Sequence, residues 1–123
     1  MIKIVFCLRR LPGMSIEEFQ GHWRERHAPL VREVAPALRI RRYVQSHTVN
    51  IPSIAAAVEA RDGLAAFDGV AELWWDSVED IVAVGETEEG RDAGRRLLDD
   101  ERRFIDLAAS SLFYTREHVV IGG

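Results

Sequence analysis

The sequence predicts an α+β fold in which an antiparallel four-stranded sheet carries helices on one face. Its segments follow the order strand, helix, strand, strand, helix, strand, which is the βαββαβ order of the ferredoxin-like unit. The chain has 123 residues, enough for one hydrophobic core and too few for two. We therefore expect residues 1–123 to form a single domain. The bare side of such a sheet needs a partner.

Composition and charge exclude several classes of function. The chain is 47% hydrophobic and carries a formal net charge of −4, so it lacks the basic field that gathers nucleic acid. The one basic run, at Arg39, Arg41 and Arg42, is interpreted as a solvated strand edge, since neighbours on a strand point to opposite faces. The single cysteine, Cys7, excludes an intrachain disulfide and favours a cytoplasmic location. No apolar run is long enough to cross a membrane.

The first strand and the first helix have clear signals. Residues 1–10, MIKIVFCLRR, alternate along a strand with apolar side chains on both faces. Pro12 and Gly13 break this strand, and Ser15 with Glu18 forms a capping box that predicts a helix start.

The helix that follows has the strongest periodicity in the chain. Its apolar stripe, at spacings of three and four, comprises Ile16, Phe19, Trp23, His27, Leu30 and Val34. Pro29 lies inside this pattern and removes a backbone donor, so we expect a kink or break near His27. His27 should then face inward at a helix irregularity.

The remaining elements follow in order. A second strand is predicted at 39–49, an irregular or weakly helical excursion at 50–66, and a third strand at 70–75, VAELWW. Ser77 and Gly85 bound a short helix, and a longer helical pattern runs from Thr87 to about Asp106. A last strand is expected at 111–121.

Four segments together carry a resemblance to a known family. They are RRLPGMSIEEFQGHWRERHAPLV at 9–31, RRYVQSH at 41–47, FDGVAELWWDS at 67–77 and DDERRFIDLAAS at 99–110. In combination they resemble the EthD family, which belongs to the dimeric α+β barrel group. This resemblance implies a homodimer in which two sheets face each other, with a pocket between sheet and helices. Relatives in that group include cofactor-free cyclases, decarboxylases and isomerases, and members with no assigned reaction.

The resemblance also implies a set of site residues. They fall on Trp23, His27 and Pro29 in the helix, on Tyr43 and His47 in the second strand, and on Glu72, Trp74 and Trp75 in the third strand.

His27 is the leading candidate for a catalytic residue, because an imidazole moves protons near neutral pH. The alternative is a core histidine bound to a carbonyl that Pro29 leaves free. Tyr43 and His47 share a strand face, about 13 Å apart along it, so a sizeable substrate could touch both. Their alternative role is a hydrogen-bonded pair at a dimer interface.

Glu72 is the second catalytic candidate, because burial among apolar neighbours would raise the pKa of its carboxyl group and suit it to proton abstraction. The alternative is an ion pair with an arginine. Trp74 and Trp75 point to opposite faces of the strand, so at most one of them lines a substrate pocket. Core packing is the alternative for either.

No metal or cofactor is expected. His22 and His27 are five residues apart, about 140° out of register on an α-helix, and His47 and His118 fall on different strands. Neither a metal-binding histidine motif nor a glycine-rich phosphate loop is present.

The leading functional hypothesis is a cofactor-independent enzyme that acts by proton transfer on a small hydrophobic compound, aromatic or polyketide-like. Cyclisation, decarboxylation and isomerisation all fit this chemistry. The main alternative is a non-catalytic protein of the same family, stress-related or serving to bind a small molecule. A third hypothesis is an accessory subunit whose barrel is filled by its own side chains.

Overall fold

A computed structural model describes residues 1–123 and confirms the predicted four-stranded antiparallel sheet. The strands are β1 (Ile2–Leu8), β2 (Arg42–His47), β3 (Gly69–Trp75) and β4 (Ser111–Thr115). They lie in the order β2-β3-β1-β4, and every neighbouring pair is antiparallel. The helices pack on one face of this sheet, as the βαββαβ order requires.

The helical elements are α1 (Ile16–His22), α2 (Ala28–Leu38), α3 (Ala56–Glu59), α4 (Val78–Val84) and α5 (Glu88–Glu101). The predicted caps are in place. Ser15 and Glu18 form the reciprocal capping box of α1. At the start of α4, the side chain of Ser77 accepts a hydrogen bond from the backbone N–H of Asp80. The excursion at 50–66 contains only a 3₁₀ turn, Pro52–Ile54, and the single turn of α3.

Three elements are shorter than the sequence predicts. The second strand starts at Arg42 because Arg39, in a left-handed conformation with φ of 57°, still ends α2. The last strand stops at Thr115, which pairs with Lys3, because β1 begins one residue before Lys3 and offers almost no further partner. Helix α5 ends at Glu101, where a turn carries the chain toward the buried Phe104.

The predicted irregularity near His27 is a π-helical turn, Trp23–His27, between α1 and α2. Within it the N–H of Ala28 donates to the carbonyl of Trp23, a bond spanning five residues instead of four. Pro29 follows directly and has no N–H to give to the preceding turn, so the wider turn accommodates it. One extra residue in this turn rotates the side chains before it relative to those after it.

The core lies between the sheet and the helices. Trp23, Phe19 and Phe104 pack there against Phe6 and Leu8 of β1. A second cluster, between α2 and α5, consists of Val31, Val34, Leu38, Ala93 and Leu97. Together the two clusters hold α5 beside the π turn.

The other face of the sheet has no helix over it and is called the open face. In register, it presents the side chains of Lys3, Val5, Cys7, Arg42, Val44, Ser46, Val70, Glu72, Trp74, Ser111, Phe113 and Thr115. Val5, Val44, Val70 and Phe113 are its larger apolar side chains, and Glu72, which lies between Val5 and Val44, is paired with Lys3. None of the helices is long and apolar enough to cross a membrane.

Gly69, the first residue of β3, lies directly against the indole ring of Trp23 in the π turn. A Cβ atom there would lie 2.5 Å from Cζ3 of Trp23, whereas a Cβ at Gly94 in α5 would meet nothing within 4 Å. We expect Gly69→Ala to lower the free energy of unfolding by about 1–3 kcal/mol through overpacking. Gly94→Ala, the matched control, should raise it by roughly 0.5–1 kcal/mol. Urea denaturation measures both changes in the free energy of unfolding. Equal effects of the two substitutions would contradict the close contact between Gly69 and Trp23.

Candidate functional site

The centre of the site is a histidine–aspartate pair. His27, the last residue of the π turn, is 5% exposed, and its Nδ1 lies 2.7 Å from Oδ2 of Asp100 in the last turn of α5. Asp100 is itself 6% exposed. A buried carboxylate and an imidazole in contact form the arrangement by which an aspartate orients a catalytic histidine.

Asp100 has two further partners. Nε2 of His22 lies 3.1 Å from Oδ1, and Nη1 of Arg103 donates to the same oxygen at 3.2 Å. The sequence expectation that His22 and His27 diverge is therefore wrong. It assumed an α-helix throughout, whereas the π turn brings residues five apart to the same side.

The electrostatics leave His27 as a base. Burial lowers the pKa of His27 and outweighs the opposing hydrogen bond and charge of Asp100. Burial also acts to raise the pKa of Asp100, but hydrogen bonds from His27 and His22 hold it below its ordinary value. At neutral pH the carboxylate is thus charged and the imidazole neutral. The N–H at Nδ1 donates a hydrogen bond to the carboxylate, so Nε2 is unprotonated and has a free lone pair.

His27 borders a small apolar cavity between the sheet and the helices, of about 30 Å³. We call it the inner cavity. Its lining is Phe6, Leu8, Trp23, His27, Val31, Tyr43, Ala71, Leu73, Leu97, Glu101 and Ile105. This volume holds about one or two water molecules. Beside His27, the polar groups in the lining are the hydroxyl of Tyr43 and the carboxyl of Glu101.

The hydroxyl of Tyr43 is held by two donors. Nε1 of Trp23 donates to it at 3.1 Å and Nε2 of Gln45 at 3.0 Å. Both lone pairs of the oxygen are thereby used, so its own proton remains free to donate to a molecule in the inner cavity. Burial raises the pKa of Tyr43 despite the two hydrogen bonds, so the hydroxyl keeps that proton at neutral pH.

Gln45 connects Tyr43 to His47. Its Oε1 lies 2.9 Å from Nε2 of His47, and its Nε2 also donates to the carbonyl of Trp23 at 2.8 Å. The ring of His47 packs 4.4 Å from that of Trp23. The two strand residues implied by the resemblance are thus joined through an amide. Sequence reasoning missed Gln45, although it lies between them on the same strand face.

Glu101 is the second acidic residue that sequence reasoning missed. Burial and the neighbouring charge of Asp100 raise the pKa of its carboxyl group to about 7. Both residues lie in the acidic run DDER at 99–102, which looks like an ordinary solvated helix end. The available signal was that Asp100 follows Leu97 by three residues and precedes Phe104 by four, on the buried stripe.

Glu72 and Trp74 lie apart from this site, on the open face. Glu72 is paired with Lys3, whose Nζ is 2.6 Å from its Oε2, and not with an arginine. Nε1 of Trp74 donates to Glu117 at 2.8 Å. Neither borders the inner cavity, whose lining from β3 is Ala71 and Leu73.

Trp75 points to the helix side, which confirms that the two tryptophans lie on opposite faces. It is buried and donates to the carbonyl of Leu38 at 2.7 Å, in a packing position at the end of α2. Of the predicted site residues, the structure therefore brings together Trp23, His27 and Tyr43, with His47 linked through Gln45. No group of three histidine, cysteine or acidic side chains is arranged to hold a metal ion.

Comparison with known proteins gives one family. The family model of the EthD domain matches residues 11–108. No curated protein matches the sequence.

Several solved structures share the fold. An EthD family protein from Bacillus halodurans C-125 is similar at 23% identity and a TM-score of 0.63, covering 96% of this chain and 99% of that one. An EthD-like protein from Ralstonia eutropha JMP134 is similar at 18% identity and a TM-score of 0.64, covering 98% and 94%. HapK from Hahella chejuensis has 11% identity and a TM-score of 0.57, covering 100% and 97%.

The raised pKa of Glu101 makes stability depend on pH. In the fold this carboxyl group stays protonated up to a pKa of about 7, against an ordinary value of 4.5 in the unfolded chain. Its contribution to stability is therefore complete below the lower value and is lost as the pH rises through the higher one. We expect Glu101→Gln to stabilise the protein, relative to wild type, by about 2 kcal/mol more at pH 8 than at pH 5.

Urea denaturation at the two pH values measures this difference. Glu89→Gln, at an exposed site on the same helix, is the control. A Glu101→Gln effect that does not change with pH would contradict a protonated, buried carboxyl group.

Proposed function

Because this chain belongs to the EthD family, we propose that it is a cofactor-independent enzyme that moves protons on a small, largely apolar carbonyl or phenolic compound. The observation that carries this proposal is the neutral His27, bound through Nδ1 to Asp100 at 2.7 Å, at the wall of the apolar inner cavity.

His27 would act as the base. Its free Nε2 takes a proton from the carbon beside a carbonyl group, and the imidazolium that forms is stabilised by the charged Asp100. Asp100 is a positioning residue here, because it acts through His27 and does not border the inner cavity.

Tyr43 would stabilise the charge that develops on the substrate oxygen. Its hydroxyl proton is free, and the donors from Trp23 and Gln45 polarise the oxygen that carries it. Glu101, protonated up to about pH 7, would return a proton at a second position. Cyclisation, decarboxylation and isomerisation all pass through such an enolate, so the proposal is for this step and its class of substrate.

The second candidate is a protein that binds such a compound without converting it. The volume of the inner cavity, about 30 Å³, favours it. That space takes one functional group of a ligand, and most of the ligand must lie outside it. The His27–Asp100 pair would then be a structural hydrogen bond.

The proposal includes a homodimer. The open face carries the apolar side chains of Val5, Val44, Val70 and Phe113 around the paired Lys3 and Glu72, and Phe113 is 45% exposed in the single chain. A second copy packed on this face would remove these side chains from water. The net charge of −4 supports a small-molecule ligand over a nucleic acid, and the lone Cys7 supports a cytoplasmic location.

Proton abstraction is measured by deuterium exchange. In D₂O, we expect the wild-type protein to speed exchange at the methyl group of 2-acetylnaphthalene, and His27→Gln to lose this acceleration by about 100-fold. Glutamine is chosen because its amide still donates to Asp100 and keeps the pair buried. Proton NMR follows the exchange.

His118→Gln, in the exposed C-terminal segment, is the control and should exchange at the wild-type rate. Equal exchange rates for the wild type and His27→Gln would contradict the proposal that His27 acts as the base of an enzyme. If the ketone binds and the wild type gives no acceleration, the second candidate replaces it.

The dimer is tested by mass in solution. We expect the wild type at micromolar concentration to have twice the 13.9 kDa of one chain, and Phe113→Asp to have that of one chain. Leu98→Asp changes a side chain of similar exposure on the outer side of α5 and should stay dimeric. Light scattering after size exclusion measures the masses, and a monomeric wild type would refute the dimer.

A further inference from the structure

A second, larger space lies just outside the inner cavity, between α2 and β2. This groove has a volume of about 300 Å³ and is lined by Ala28, Val31, Arg32, Ala35, Ile40, Arg41, Arg42 and Tyr43. Val31 and Tyr43 also line the inner cavity, so they form the wall between the two spaces. The groove has the size at which sites for small organic ligands begin, about 300 Å³, whereas the inner cavity alone is ten times smaller.

The lining of the groove is divided between apolar and positive groups. Ala28, Val31, Ala35 and Ile40 form an apolar floor, and none of the lining residues is acidic. The chain as a whole has a net charge of −4, so this local excess of positive charge is a distinct feature.

The three arginines of the groove differ in how they are paired. Arg32 makes no ion pair, whereas the guanidinium of Arg42 lies over the ring of Trp74 at 4.7 Å, on the open face of the sheet. Arg41 approaches Asp76 at 3.5 Å, with both side chains more than half exposed. Such an exposed pair is weak and leaves the guanidinium available to another anion. Arg39, Arg41 and Arg42 are exposed, as expected of a solvated strand edge, and α2 places Arg32 and an apolar floor beside this edge.

We propose that the groove binds the anionic group of the substrate, which is a small, largely apolar carboxylate. Guanidinium groups of Arg32 and Arg41 bind the carboxylate at the rim, where planar donors match its two oxygens. The apolar body lies on the floor beside Ile40, and a carbonyl group passes Tyr43 into the inner cavity. The placement of the carbonyl group in the inner cavity rests on the proposed function. The binding of the carboxylate by the arginines does not.

The test compares two probes of nearly the same shape, 2-naphthoate and the neutral 2-acetylnaphthalene, by isothermal titration calorimetry. We expect the double variant Arg32→Gln, Arg41→Gln to weaken naphthoate binding roughly three- to tenfold and to leave the ketone unchanged. The control, Arg95→Gln with Arg102→Gln, removes the same charge from exposed sites on α5 and at its end. It should leave both affinities unchanged.

Absence of saturable naphthoate binding at millimolar concentration, or equal loss in the groove variant and the control, would overturn the assignment. The Nε2 resonance of His27, followed by NMR during the ketone titration, keeps this result separate from the proposed function. Arginine-dependent naphthoate binding with a ketone-insensitive His27 supports the groove and counts against the enzyme. If the ketone shifts the His27 resonance but naphthoate binding does not depend on the arginines, the result supports the enzyme and overturns the groove assignment.

Discussion

A carboxylate that is 6% exposed has to be fully paired, and the pairing of Asp100 fixes the geometry around the inner cavity. Its partners come from two places, His22 just before the π turn with His27 at the end of that turn, and Arg103 just after α5. Both histidines reach one carboxylate because the π turn places them on one side. This irregularity, next to Pro29, thus connects backbone geometry to the protonation state of His27.

In the proposed mechanism the two spaces beside Tyr43 have different roles, the groove in binding and the inner cavity in chemistry. The inner cavity excludes most water and holds the base, the hydroxyl donor and a protonated carboxyl group, conditions that strengthen electrostatic interactions. The groove outside it is open to solvent and carries the arginines. In this proposal the charged group of the substrate binds at the solvent-exposed arginines, and the reacting carbon lies in the apolar inner cavity.

The fold could be predicted from local signals, because the capping box at Ser15 and the alternation in β1 each depend on neighbours in sequence. The inward position of His27 followed from periodicity and from Pro29. The role of Asp100 did not, because its partner is 73 residues away and the run around it has the composition of a solvated helix end. The lengths of the second and last strands were also overestimated, since pairing depends on where the partner strand ends.

Burial keeps the imidazole of His27 neutral by lowering its pKa, and Asp100 holds the remaining proton on Nδ1, which leaves a free lone pair on Nε2. Nitrogen-15 NMR of the imidazole at pH 7 tests it directly, in the wild type and in Asp100→Asn. We expect a protonated Nδ1 and an unprotonated Nε2 in the wild type, and loss of this preference in the variant. A wild-type imidazole that carries its proton on Nε2, or on both nitrogens, would contradict it.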